Sequence, residues 1–107
     1  MAQRDPQEPV YMISIAAQLT GMHPQTVRLY EKEGLVSPQR VNNKNRLYSE
    51  ADIERLLKIR RFTGMGVNLA GVGIILDLLQ KMERMQAEMD QMRHLMETRL
   101  QPTVEER

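Results

Sequence analysis

Arg28, Arg40, Lys44 and Arg46, interleaved with Gln25, Thr26, Tyr30 and Tyr48, are the residues of this 107-residue chain whose types and spacing suit chemistry with a polyanion. A guanidinium grips a phosphate or a guanine edge through two parallel hydrogen bonds, which makes Arg28 the first candidate. The Gln25 amide can pair with adenine, and the Thr26 hydroxyl can bond a phosphate or rest on a thymine methyl. Tyr30 and Tyr48 each combine an apolar ring suited to a core with a hydroxyl that can face backbone phosphates. Arg40 and Lys44 add diffuse positive charge. Plainer readings stand beside these. Arg28 can be a solvated arginine paired with Glu31, and His23, directly before Pro24, can cap a helix as readily as touch a base.

Other chemistries find little support. The chain has no cysteine, which excludes disulfides, thiolate metal sites and cysteine nucleophiles. It offers no glycine-rich phosphate loop, no His/carboxylate metal spacing and no nucleophile–base pair, so no enzyme, metal or cofactor is expected. No apolar run approaches the roughly 20 residues of a membrane span, and a soluble protein of the cytoplasm is expected. The net charge of +1 conceals an asymmetry. Residues 1–22 sum to −1, residues 23–61 carry nine basic and five acidic side chains, and residues 62–107 carry five basic and seven acidic. A basic centre followed by an acidic end raises nucleic-acid binding as a question, although a solvated surface has the same composition.

The elements that must position these side chains follow from the local signals. Residues 1–9, with two prolines, read as a disordered lead-in. Val10 to Ile13 suits a strand fragment, Ser14 can cap a helix starting at Ile15, and Gly21 stops it. Pro24 suits the first position of a second helix running to Glu33 and ended by Gly34. Two short helices joined by a tight glycine turn form a helix-turn-helix pattern that sets His23, Gln25 and Thr26 at the entry of the second helix, the part that reaches base edges. Extended residues on either side of Asn42-Asn43-Lys44-Asn45 predict a hairpin, a wing with Lys44 at its tip and Arg46 and Tyr48 on the return strand. Ser49-Glu50-Ala51-Asp52 is a capping-box start for a third helix burying Ile53, Leu56, Leu57 and Phe62. Asn68 can cap a fourth helix, in which Gly71 and Gly73 suggest close packing against a neighbouring helix.

From Ile75 the pattern becomes strictly heptad. Ile75, Leu78, Met82, Met85, Met89, Met92 and Met96 are spaced alternately by three and four residues, the mark of a coiled-coil seam. The span from Ile75 to Leu100 would be about 39 Å of helix, too long to bury its stripe alone, and a second copy is the simplest partner. Thioethers bind Cu(I), but these are strung along a seam instead of converging on a point, which favours packing. Oxidation of those sulfurs would make the seam polar.

His23-Pro24-Gln25-Thr26-Val27-Arg28-Leu29-Tyr30-Glu31, Gly34-Leu35, Arg46-x-Tyr48-Ser49 and Asp52-Ile53 together resemble the MerR family of winged-helix transcription regulators. Gly21 to Thr26 and Gly66 to Val72 are similar to the HspR-type heat-shock repressors within it. The resemblance covers about residues 10–100. It implies a mainly α fold: a winged helix-turn-helix DNA-binding domain over 10–74, an antiparallel coiled-coil dimerisation helix over 75–100, and a disordered tail over 101–107. It implies a homodimeric repressor of chaperone genes on an inverted-repeat operator in double-stranded DNA, with a DnaK-type chaperone as co-repressor. It also puts Arg28 in the DNA-contacting helix and Arg46 against phosphate or the minor groove. A chain ending at residue 107 is expected to have no separate effector domain, leaving a protein partner, a small ligand or abundance as the signal. Two alternatives stay open at this point, a regulator of another regulon and an excisionase-like DNA-architectural factor. A protein-only helical adaptor is a third, set apart by lacking salt-sensitive DNA affinity.

Overall fold

The computed structural model describes residues 5–41 and 45–100 of the chain, so Lys44 at the wing tip, the first four residues and the tail from 101 lie outside the described residues. The chain divides into two compact units, Met1–Val72 and Gly73–Arg107. The first is built from β1 (Tyr11–Met12), α1 (Ile13–Thr20), α2 (Pro24–Lys32), β2 (Gln39–Val41), β3 (Asn45–Tyr48), α3 (Glu50–Gly64) and the opening turn of α4 (Leu69–Leu100).

Local chemistry explains most of these boundaries. Gly21 closes α1 in the left-handed region at φ +69°, and Met22 N–H then reaches back to the Ala17 carbonyl at 3.0 Å. Arg60 donates through Nη1 to the Thr20 carbonyl at 2.8 Å and lies so close to Gly21 that an added Cβ would meet it at 2.8 Å. That bond satisfies an orphan carbonyl at the end of α1, so Arg60 serves the fold. Ser49 and Asp52 form the reciprocal capping box at the start of α3, Ser49 Oγ accepting from Asp52 N–H at 3.1 Å and Asp52 Oδ2 from Ser49 N–H at 2.9 Å. Asn68 Oδ1 accepts from Gly71 N–H at 2.8 Å and starts α4.

Four expectations need correction. α1 begins at Ile13, with Met12 as an N-cap that supplies no side-chain bond, so Ser14 lies inside the helix. The pairing of β1 with β3 holds Tyr11 and Met12 extended and lets the helix follow at once. Residues 5–9 are ordered: Gln7 N–H bonds Asp5 Oδ1, and the Pro6 carbonyl accepts from Ala51 N–H at 2.9 Å, satisfying a donor that the first turn of α3 leaves open. On α3 the buried residues are Ile53, Leu56 and Ile59, whereas Leu57 is 39% exposed and Phe62 half-buried. Ile53 and Leu56 are buried as expected, and the stripe continues through Ile59. Gly71 makes room for its own cap, since a Cβ there would lie 2.9 Å from Val67 Cγ1 and 3.3 Å from Asn68 Oδ1.

The three strands form an antiparallel sheet in the order β1-β3-β2. Tyr11 is opposite Tyr48 and Arg40 opposite Arg46, so β3 is the central strand, flanked on both sides. The core of this unit gathers Ala16 and Ala17 of α1, Val27 of α2, Leu35, Val36, Tyr48, the three α3 residues and Val72. Thr20 is buried among them with its hydroxyl donating to the Ala16 carbonyl at 2.8 Å.

The second unit is the remainder of α4. Leu78, Met82, Met85, Met89, Met92 and Met96 are each more than half exposed, and Ile75 is half-buried. Its side-chain hydrogen bonds and ion pairs among the described residues are local, including Arg93 with Asp90 at 3.5 Å and Gln86 with Asp90 at 3.0 Å. Exposed pairs of this kind contribute at most about 1 kcal/mol. No helix of the described residues is long and apolar enough to cross a membrane.

Candidate nucleic-acid interface

α2 turns Val27 and Tyr30 into the core and leaves Gln25, Arg28, Leu29 and Lys32 exposed, at the spacing of one helix face. Its entry is fixed by His23, whose Nδ1 accepts from Gln25 N–H at 3.0 Å. Acceptance at Nδ1 puts the proton of the neutral ring on Nε2, which gives the exposed edge a donor. The capping reading of His23 is what the structure shows. Thr26 is half-buried beside the exposed Gln25.

Between this helix and the wing lies a cleft of about 190 Å³ lined by Met12, Ile13, Arg28, Asn45 and Arg46. It brings together two guanidinium groups and one carboxamide from α2 and β3, with Met12 and Ile13 as a third stretch of its lining. The N-terminus of α1 opens at the same place, with no side-chain cap and no acidic residue in its first turn. Unclaimed N–H groups of a helix N-terminus and the positive end of its dipole favour an anion. The cleft therefore offers donors from both arginines, from Asn45 and from a helix end, a set that matches phosphate oxygens.

Arg28 is exposed and makes no ion pair among the described residues, so the expected alternative of an Arg28–Glu31 pair is not what forms. Glu31 instead holds Arg46, Oε2 to Nε at 2.5 Å, with the Arg46 side chain 40% and the Glu31 side chain 22% exposed. Arg40 is exposed directly across the hairpin from Arg46. Like charges placed opposite each other in a sheet repel, which is tolerated where the charge serves a ligand.

Both tyrosine rings pack in the core as expected, Tyr48 fully buried and Tyr30 8% exposed, and the correction concerns the Tyr48 hydroxyl. The Tyr48 hydroxyl points to Glu31, donating to Oε1 at a long 3.4 Å. Burial raises its pKa from 10.0 to about 12, helped by the Glu31 charge and hydrogen bond. Sequence reasoning missed Glu31, Asn45 and the α1 N-terminus as parts of the site. The one available signal was the placement of Glu31 three residues after Arg28 on the same helix.

A helix-turn-helix whose second helix shares a basic cleft with a β-hairpin wing is the winged-helix class of DNA-binding head. Comparison with known proteins narrows the class. Residues 11–79 match the model of the MerR HTH family regulatory proteins. HspR, a heat shock protein of Streptomyces coelicolor, is 48% identical over 80 residues, covering 74% of this chain and 53% of that protein. The transcriptional regulator TnrA of Bacillus subtilis is 40% identical over 76 residues, covering 71% and 66%. Among solved structures, the transcription regulator PbrR691 of Ralstonia metallidurans, crystallised with lead(II), has a TM-score of 0.63 at 26% identity, covering 91% of each chain. The chain belongs to the MerR family of regulators. It spans about half the length of the HspR protein it matches.

Proposed function

We propose that the chain is an HspR-like repressor that binds an inverted repeat as a homodimer and acts by binding, without catalysis. The observation that carries this reading is the cleft shared by Arg28 of α2 and Arg46 of the wing. With α2 in the major groove, Gln25, Thr26 and the Nε2 donor of His23 meet base edges, while Arg28, Arg46 and Arg40 take phosphates. Lys44, two residues before Arg46 in sequence, adds positive charge. The seam of Ile75, Leu78, Met82, Met85, Met89, Met92 and Met96 pairs with that of a second copy in an antiparallel coiled coil, which sets the separation of the half-sites. By its likeness to HspR, a DnaK-type chaperone is the proposed co-repressor, with the cytoplasm as the setting.

Regulation of a different set of genes is the second reading, favoured by the 40% identity to TnrA over the same head. An excisionase-like architectural role fits less well with an exposed apolar seam along a 32-residue helix. Selection of binding sites from random duplex DNA separates these. The repressor reading expects an inverted repeat whose affinity falls at least about 10²-fold between about 50 and 200 mM salt. Adding a DnaK-type chaperone should tighten binding to that repeat. Enrichment without a repeat, or affinity indifferent to salt, contradicts the reading.

A further inference from the structure

Arg46 stands opposite Arg40 on the hairpin and shares a cleft with Arg28, so three positive charges crowd one surface. A long arginine side chain in such company gains by swinging away into solvent, where it also recovers its rotamer freedom. Glu31 opposes that movement. Its Oε2 holds the Arg46 Nε and its Oε1 accepts from the Tyr48 hydroxyl. Tyr48 is itself immobilised, fully buried on the central strand and in register with Tyr11 of β1. Alternation along β3 puts Arg46 and Tyr48 on the same face, so one carboxylate of α2 meets both. Among the described residues, these are the side-chain hydrogen bond and ion pair that join the second helix to the wing.

We propose that Glu31 is a positioning residue that sets DNA specificity: it holds the Arg46 guanidinium by its Nε edge and keeps the Nη donors in the cleft beside Arg28, where a phosphate of correctly seated DNA meets both arginines. This rests on the DNA-binding reading above. Arginine suits the role because its planar fork can give one edge to a carboxylate and the other to a phosphate. The donors are then oriented before DNA arrives, which lowers the ordering cost of binding in the right register. The carboxylate also repels a phosphate that arrives anywhere else in the cleft. Plain electrostatics expects the opposite outcome of its removal, since deleting an acid from a DNA-facing surface strengthens binding to any duplex.

The test uses the full chain, its selected duplex and a scrambled duplex of equal length and base composition at one salt concentration, with thermal melts alongside. Glu31→Gln is expected to weaken binding to the selected duplex about tenfold while leaving the scrambled one unchanged or slightly tighter, at an almost unchanged melting temperature. Arg46→Lys, which keeps the charge and loses the fork, should reproduce the loss of discrimination. In an Arg46→Ala background, Glu31→Gln should change the ratio of the two affinities by less than about twofold. Parallel tightening on both duplexes, parallel weakening with a lowered melting temperature, or an unchanged ratio overturns the proposal. If the unaltered chain prefers no duplex at all, the DNA-binding reading falls and this role falls with it.

Discussion

The head and the arm solve opposite problems with similar amounts of apolar sequence. In the head, Leu56, Ile59, Val27 and Tyr48 are fully enclosed, and the helix ends are tied by Gly21, Arg60, the Ser49/Asp52 box and Asn68. On the arm, six consecutive seam positions from Leu78 to Met96 stay more than half exposed. The head satisfies its own stripes because three helices, the opening turn of α4 and a sheet bring several apolar faces to one centre. A single helix has no second face to meet. Under the function proposed above, a second copy covers the methionine stripe, and the arm then encodes association as the head encodes a fold.

The sharpest way to break this contrast is to charge each region in turn. Met89→Glu puts a carboxylate into the seam twice per dimer, where an unpaired buried charge costs about 3–5 kcal/mol. The dimer dissociation constant should rise on the order of 10³-fold by sedimentation, with the head still folded. Unchanged dimer mass would mean that the seam is not the interface. Leu56→Ala, by contrast, should cost the head about 2–5 kcal/mol in urea unfolding, against less than about 1 for the neighbouring Leu57→Ala. Equal costs at the two positions would disprove the observed phase of α3.

Smaller effects sharpen the picture at the interface. Arg28→Ala should cost about 1–3 kcal/mol of specific binding, read by titration of the selected duplex, with little change in the melt because the side chain is exposed. Tyr48 predicts an alkaline limit. Its folded pKa of about 12 lies above the ordinary 10.0, so the folded state keeps a proton that the unfolded chain has lost between these values. The associated stability is fully present below pH 10 and declines by about 1.4 kcal/mol per pH unit as pH rises towards 12. Chemical unfolding of Tyr48→Phe at the same pH values should lack that component of the slope, and an identical slope would place the titration elsewhere.

Much of this architecture was legible because it rests on neighbours in sequence. Gly21, Pro24, the Ser49/Asp52 pair and Asn68 act within three or four residues of themselves, and the heptad needs only spacing. Residues whose fate depends on distant partners were misread. The Tyr48 hydroxyl looked like one that can face phosphate, since nothing near it in sequence announces that it will meet Glu31, 17 positions earlier. Glu31 entered only as an alternative partner for Arg28, one helical turn away, but fold-back of the hairpin delivers Arg46 to it. Pro6 looked like part of a loose tail until α3 supplied an N–H for its carbonyl. The candidate site was half legible for the same reason. Its arginines are visible as types, and their convergence with the α1 N-terminus and Asn45 is a product of the fold.

The central claim is that basic heads read DNA while methionine arms pair them, and the mass of the complex in solution tests it most directly. Titrating the full chain onto its selected duplex should give two chains per duplex, whereas Met89→Glu at the concentration that saturates the unaltered chain should leave free duplex and duplex carrying a single weakly bound chain. A single unaltered chain saturating the whole site, or a complex whose mass does not respond to Met89→Glu, would contradict the account.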